Sequence, residues 1–297
     1  MTTETLARPR VEAGSFAERL KRNLSRTPLH VVIIVLALLW MTPAFGLLVS
    51  SFRNASDVAT SGWWTAFTPP FNFTLENYRD VITQNRMGQS FLNSLIIAIP
   101  GTIIPIFVAA FAAFAFSWMK FRGRDALFIF VVALLVVPLQ MTLIPVLRLL
   151  TNAGIAGTFP AIWLAHTAYG LPFAIYLLRN FFSAIPRELL ESAYLDGASN
   201  IRVFLRLIIP LSVPALASLA IFQFLWVWND LLVALIILQN PNLAPMTVTI
   251  TNLVSSFGTQ WQLLTAAAFI SMVLPLAIFF ALQRYFVQGI MTGAIKG

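Results

Sequence analysis

Six apolar stretches, each long enough to cross a hydrocarbon core as a helix, constrain this chain more than any other feature. A core about 30 Å thick takes roughly 20 apolar residues of helix. Runs that meet this with few charges inside extend from Leu29 to Ser51, Leu92 to Trp118, Ala126 to Leu147, Phe159 to Leu178, Ile208 to Leu238 and Leu263 to Gln283. Strands of a membrane barrel alternate apolar and polar residues over about 10 positions, whereas these runs are continuously apolar. The expected fold class is therefore all-α and integral to the membrane, with six transmembrane helices. A chain that is 59% hydrophobic and 10% charged, with mean hydropathy +0.82, is too apolar for a domain with a water-facing surface.

The charges orient these helices, because Lys and Arg are retained on the cytoplasmic side. With the N-terminus inside, only Arg53, Arg79, Arg86 and Arg148 of the nineteen Lys and Arg fall outside, and the connection from Gln239 to Gln262 carries no ionisable group. Both termini are predicted to be cytoplasmic. The net charge of +8 follows from this topology and from attraction to anionic headgroups, so no nucleic-acid partner is expected. The chain divides into a cytoplasmic tail (1–28), a first helix with an outer segment (29–91), a five-helix core (92–283) and a second cytoplasmic tail (284–297). Leu29 to Ser51 exceeds the about 7–15 apolar residues of a signal peptide and reads as an uncleaved first helix. The outer segment, with Trp63, Trp64, Pro69 and Pro70, has room for a short interfacial helix and is a candidate docking surface for an external protein. Gly289 and Gly293 form a GxxxG spacing, but beyond the last apolar run, where it does not read as a membrane dimer motif.

Enzymatic chemistry finds little support. The only histidines are His30 and His166, cysteine is absent, and no HExxH pair, GxSxG elbow, metal-ligand cluster or P-loop occurs. No catalytic residue, metal or cofactor is expected on this chain. His166 reads as a packing residue and His30 as interfacial.

The most patterned polar segment runs from Arg179 to Leu207. Pro186 stands where a first helical turn tolerates proline, Leu189, Leu190, Ala193 and Tyr194 share helical spacing, and Gly197 falls where a glycine ends a helix. A short amphipathic helix is predicted, then a second from Ser199 through Arg206, with Pro210 and Pro214 bending the chain into the next span. Glu188, Glu191 and Asp196 would be repelled by anionic headgroups, so this helix is expected to dock on another protein rather than to lie on lipid.

This segment resembles the EAA loop of importer-type ABC permeases: Glu-Ala-Ala, three residues, Gly, nine residues, then Ile-x-Leu-Pro. Glu191, Ala193, Gly197 and Pro210 fall in register; Ser192 replaces the first Ala, and Leu207 and Ile209 replace Ile and Leu. Further segments are similar to the maltose-type carbohydrate permeases of the smaller, MalG-like kind. These are Phe73-Thr74-Leu75-Glu76-Asn77-Tyr78, Phe91-Leu92-Asn93-Ser94-Leu95, Trp228-Asn229-Asp230, and the ending from Gln283 to Gly289 with Gly293 to Gly297. The resemblance implies a MetI-like fold in a bacterial or archaeal cytoplasmic membrane. It also implies a second, non-identical permease, two ATPase subunits that bind ATP and Mg, and an extracytoplasmic solute-binding protein. The helix from Arg187 to Asp196 would be a coupling helix seated on the ATPase, with Glu188, Glu191 and Asp196 in polar contact and Leu190, Ala193 and Tyr194 packing. Gly197 would supply the turn and Pro210 the closing bend.

Polar groups inside spans point to a solute pathway, since a charge at bilayer depth is costly unless it faces a cavity or partner. Asp230 is the one acid within a predicted span. Trp226 stands four residues before it and Gln223 one turn further back, with Asn229 and Trp228 beside it, so one helix offers an aromatic face and hydrogen-bonding groups to a sugar. Pairing of Asp230 across a permease dimer is an equal alternative. Gln140 and Thr142, flanked by Pro138 and Pro145, mark a bent span; Asn93 and Ser94 read as helix glue. The expected function is sugar import, with a polyol or glycerol-phosphate solute as the alternative. An ion-coupled secondary transporter is a more distant one, because one acid makes a poor ion relay.

Overall fold

A computed structural model describes residues 16–256 and 260–294, with side chains for 27–254 and 260–283. Residues 1–15, 257–259 and 295–297 lie outside it, and the packing of the Gly289 and Gly293 pair lies outside the described side chains. Apart from one isolated bridge between Arg53 and Phe73, regular structure among the described residues is helical. The helices in order are α1 (Phe16–Ser51), α2 (Ala55–Thr60), α3 (Glu76–Thr83), α4 (Met87–Trp118), α5 (Arg124–Ala133), α6 (Leu139–Asn152), α7 (Phe159–Phe182), α8 (Arg187–Leu195), α9 (Asn200–Val203), α10 (Ile209–Leu211), α11 (Val213–Trp228), α12 (Leu232–Ile237), α13 (Met246–Ser256) and α14 (Trp261–Ala294).

Four of the expected spans are unbroken: Thr27–Ser51 within α1, α4, α7, and Trp261–Gln283 within α14. The other two are bent. The run expected from Ala126 to Leu147 is split by Pro138 into α5 and α6, which meet at 106°; the segments Asn200–Leu211 and Val213–Trp228 meet at 75°. The run expected from Ile208 to Leu238 is also interrupted at its far end, where Asn229 to Leu231 leave the helix before α12. Helix α1 starts at Phe16, ahead of the predicted Leu29, and α14 continues past Gln283 to Ala294, so part of each expected tail is helical.

The burial gradient identifies the centre of the fold. Only 6% of the first span is buried, against 56% of α7 and 39% of α4. Helices α4 and α7 pack through small residues, Ala109, Ala110 and Ala113 on one and Ala174 on the other, all buried. In lipid, where no hydrophobic force draws helices together, small side chains allow the close approach that supplies packing energy. Two buried clusters follow, one around Ile97, Ile162, Trp228 and Ile237, the other around Phe114, Leu178, Phe182, Leu190 and Phe204.

Prolines within these helices account for much of the polar bonding between them. A helical proline has no N–H, so the carbonyl four residues earlier loses its donor, and in a bilayer that group must be satisfied within the protein. Pro100 frees the Ile96 carbonyl, to which Trp163 Nε1 donates at 2.9 Å. Pro105 frees Gly101, which accepts from Gln223 Nε2 at 3.1 Å. Pro275 frees Ser271, which accepts from Trp228 Nε1 at 3.0 Å. Each cross-link joins two different helices.

In the segment between α1 and α4, Arg53 is 4% exposed. Its guanidinium donates to the carbonyls of Asp57, Ser61 and Gly62 and to the hydroxyls of Ser61 and Thr65. Asn77 donates to the Ser51 and Arg53 carbonyls at the end of α1. The segment between α1 and α4 is thus folded, carrying α2, a short 3₁₀ helix at Trp63–Phe67 and α3.

Candidate functional site

The predicted amphipathic helix is α8, preceded by Pro186 and ended by Gly197. Ala198 N donates to the Ala193 carbonyl and Gly197 N to the Tyr194 carbonyl, both at 3.0 Å, which is the paired pattern of a Schellman ending. Gly197 takes φ +77° with nothing within 4 Å of a Cβ built on it, so the requirement for glycine there is conformational, not steric. Ser199 then caps α9 by accepting from Arg202 N. The second helix, expected through Arg206, ends at Val203. Phe204–Ile208 form a π turn that leads through α10, with Pro210 exposed, into the 75° bend before α11.

The exposed face of α8 carries Glu188 and Glu191, with Asp196 just beyond its end. Glu191 Oε1 accepts from Arg187 Nε at 2.9 Å. Tyr194 donates to Asn200 Oδ1 at 3.0 Å; partial burial pushes its phenol above its ordinary pKa, so it stays protonated and keeps donating. Ala193 is half-buried. Leu190 differs from expectation. It is 1% exposed and belongs to the chain's own cluster with Phe182, Phe204 and Ile208, so it cannot reach a partner. The apolar side chains that α8 turns outward are Leu189 and Leu195, the latter 88% exposed. Their spacing carries that signal, but direction depends on which face the core claims.

Asp230 does not lie inside a helix. It occupies the break between α11 and α12, and its two oxygens accept from Val233 N at 3.1 Å and Ala234 N at 3.0 Å. It thereby satisfies two of the amides that a helix start leaves unbonded. The same Oδ2 stands 3.3 Å from Nε2 of His166, which is fully buried on α7, a position suited to an imidazole N–H donating to the carboxylate. Thr247 on α13 donates to the Asp230 carbonyl at 2.6 Å. One short polar cluster therefore joins α7, the break and α13.

The four residues expected along the solute pathway are not equivalent. Gln223 is 5% exposed and its amide serves Gly101, and Asp230 spends both oxygens within the chain; neither is free to bind a solute in this conformation. Trp226 is 38% exposed and stands edge-on to His166, ring centroids 5.4 Å apart. Asn229 is exposed, with its Nδ2 donating to the Leu225 carbonyl. Trp228 is buried and bonded to Ser271. His166 reads in sequence as packing alone; its polar partner Asp230 sits 64 positions away, out of reach of any local pattern. Asn93 and Ser94 do act as glue: Asn93 donates to the Asn242 and Ala244 carbonyls and Ser94 accepts from Met246 N, fixing the turn between α12 and α13 onto α4. Among the described residues no group of three or more His, Cys, Asp or Glu could hold a metal ion.

Residues 101–292 match the family described as binding-protein-dependent transport system inner membrane component. The osmoprotective compounds uptake permease protein GgtD of Synechocystis is 57% identical over 275 residues, covering 91% of this chain and 92% of that one. The alpha-glucoside transport system permease protein AglG of Rhizobium meliloti is 53% identical, covering 83% of this chain and 68% of that one. In structure, the chain is similar to a chain of a bacterial alginate ABC transporter solved with an alginate pentasaccharide-bound periplasmic protein, at a TM-score of 0.65 and 16% identity over 88% of this chain and 95% of that one, a likeness of fold. With the family match spanning α5 to α13 and much of α4 and α14, this chain belongs to the inner membrane components of binding-protein-dependent transport systems.

Proposed function

We propose that this chain is one permease subunit of an ATP-driven importer of a small neutral sugar or glycoside. A second, non-identical permease would complete the pore, two ATPase subunits would bind α8 from the cytoplasm, and an external binding protein would deliver the solute. Both termini then face the cytoplasm. The observation that carries this reading is the construction of α8: a nine-residue helix ended by a Schellman turn, anchored through Leu190 in the permease core, and presenting acids and an exposed Leu195 outward. Such a helix acts as a lever. A partner that moves it moves the cluster of Phe182 and Phe204, and with it the cytoplasmic ends of α4 and α7. ATP binding would draw this lever inward and turn the pore outward; hydrolysis would reverse it. ATP and Mg belong to the partner subunits, and the chain itself performs no chemistry.

The solute class rests on the named substrates of the relatives, α-glucosides and osmoprotective compounds. Small, uncharged, hydroxyl-rich molecules belong to both classes. The absence of a basic residue deep in any span disfavours a phosphorylated solute. The test is reconstitution of the chain with its partner permease, ATPases and binding protein in liposomes. Uptake of labelled sugar is expected only with ATP inside and binding protein outside, and removal of Glu191 to Gly197 should release the ATPases. Uptake driven by an ion gradient without ATP would overturn the proposal.

A further inference from the structure

At the end of α4 opposite α8, a cavity of about 450 Å³ opens between the start of α4, α12 with its following turn, and α13. Its volume lies within the range of about 300–1,000 Å³ typical of small-molecule sites. Leu238, Val248 and Leu253 give it an apolar floor, and four carboxamides, Asn85, Gln239, Asn240 and Asn252, line it with Arg86. Each amide keeps a polar group with no partner among the described residues. Asn85 and Gln239 donate to the Asp80 and Ile236 carbonyls but keep their oxygens. Asn240 accepts from Asn242 N but keeps its amino group, and the side chain of Asn252 makes no hydrogen bond among the described residues. No carboxylate lines the space, and the one guanidinium already donates to Asn242 Oδ1 at 2.9 Å.

Two further observations mark this cavity. Arg86 (φ 58°) and Gln239 (φ 50°) are the two non-glycine residues with left-handed backbone among the described residues, and both line it. Such conformations cost about 1–3 kcal/mol and tend to persist where function holds them. In addition, Ala234 and Pro245 are shared between this cavity and the closed cleft around His166 and Asp230, so the outer space abuts the polar cluster at the break.

We propose that this cavity is a receiving subsite for a neutral, polyhydroxylated solute, on this chain's own outer face. Carboxamides offer a donor and an acceptor side by side, the pairing that vicinal hydroxyls require. A rim without a carboxylate offers a metal ion no anionic ligand, and its single guanidinium, which keeps its charge but is shared with Asn242, is outnumbered by amides suited to hydroxyls. The inference rests on the sugar-import reading given above.

The chain contains no cysteine, which makes a direct test available. Asn252→Cys in the cavity and Thr60→Cys on exposed α2 are each labelled with a membrane-impermeant maleimide in the full importer reconstituted in liposomes. Sucrose, trehalose and methyl α-glucoside serve as probes, with glycine betaine as a neutral solute lacking hydroxyls. A sugar that the importer takes up, present at about ten times its dissociation constant, should slow labelling of the cavity thiol about tenfold without affecting the thiol on α2, and betaine should do nothing. Blocking the cavity thiol with the reagent should abolish uptake. Transport of a sugar with unchanged labelling of the Asn252→Cys importer would overturn the subsite while leaving the importer reading intact; absence of sugar uptake by the unmodified importer would overturn both. Protection by unliganded binding protein alone would make the face a protein contact and refute the proposal. If Asn252→Cys does not assemble, Leu235→Cys, another exposed position lining the cavity, gives the same readings.

Discussion

The Gly170–Gln223–Gly101 contact supplies a quantitative test of how α4, α7 and α11 hold together. A Cβ at Gly170 would stand 2.6 Å from Gln223 Nε2, 2.8 Å from Oε1 and 3.0 Å from Cδ. Gly170→Ala must therefore displace the amide. The Gly101 carbonyl then has no donor, because Pro105 cannot supply one, and the amide is left buried without its acceptor. An unsatisfied buried group costs about 1–3 kcal/mol, while hydrogen bonds between membrane helices average about 0.6 and reach about 1.7 kcal/mol. Gly170→Ala should therefore destabilise the chain by about 2 kcal/mol. Gln223→Ala loses the same bond but strands no amide and leaves space for a methyl group, so it should cost about 1 kcal/mol. In the double variant the new methyl group enters that space, and its cost should fall close to that of Gln223→Ala alone. The coupling is then about 2 kcal/mol, at the high end of values between contacting residues. Equilibrium unfolding of the detergent-solubilised complex in SDS measures all four corners of the cycle. If the alanine at 170 costs as much with Gln223 removed as with it present, the steric account is wrong.

At Gly197, where the space is open but φ is positive, a series separates conformation from contact. Asn tolerates the left-handed region and should retain most ATPase binding, Ala should lose about 1 kcal/mol of local stability, and Gly197→Val should abolish uptake while membrane insertion persists; normal uptake by the Val variant would refute the lever. Asp230→Ala removes both amide acceptors from α12 and leaves His166 unpaired, so thermal stability and uptake should fall together, the cap alone being worth about 1 kcal/mol. Uptake lost at unchanged stability would mean that Asp230 meets the solute instead. Leu190→Ala should cost about 2–5 kcal/mol of stability, whereas Leu195→Asp should leave stability unchanged and reduce ATPase co-purification; the reverse pattern would show that the orientation of α8 is misassigned.

These residues also show why part of this protein is legible in its sequence and part is not. Helix α8, its glycine ending and the proline bends are local: φ preference, amphipathic spacing and missing N–H groups act over a few residues, and the sequence states them directly. The break at Asn229 to Leu231 is local in cause as well, since an acid three and four residues ahead of free amides is a capping signal. It is masked because the surrounding residues are so apolar that the run reads as one continuous span. What no local pattern carries is the identity of the group that answers each exposed need. Pro105 announces that Gly101 will lack a donor, but not that Gln223 provides it; Pro275 announces the same for Ser271, but not that Trp228 does. Asp230 announces a buried charge, not that His166 faces it. In water such groups could be left to solvent, and the partner would matter little. In a bilayer each must be answered by another helix, so every proline and every acid in a span constrains a tertiary contact. Gln223 and Asp230 are therefore conspicuous in the sequence for a reason that needs no solute: they satisfy the backbone, while Trp226 and Asn229 keep exposed surface beside them.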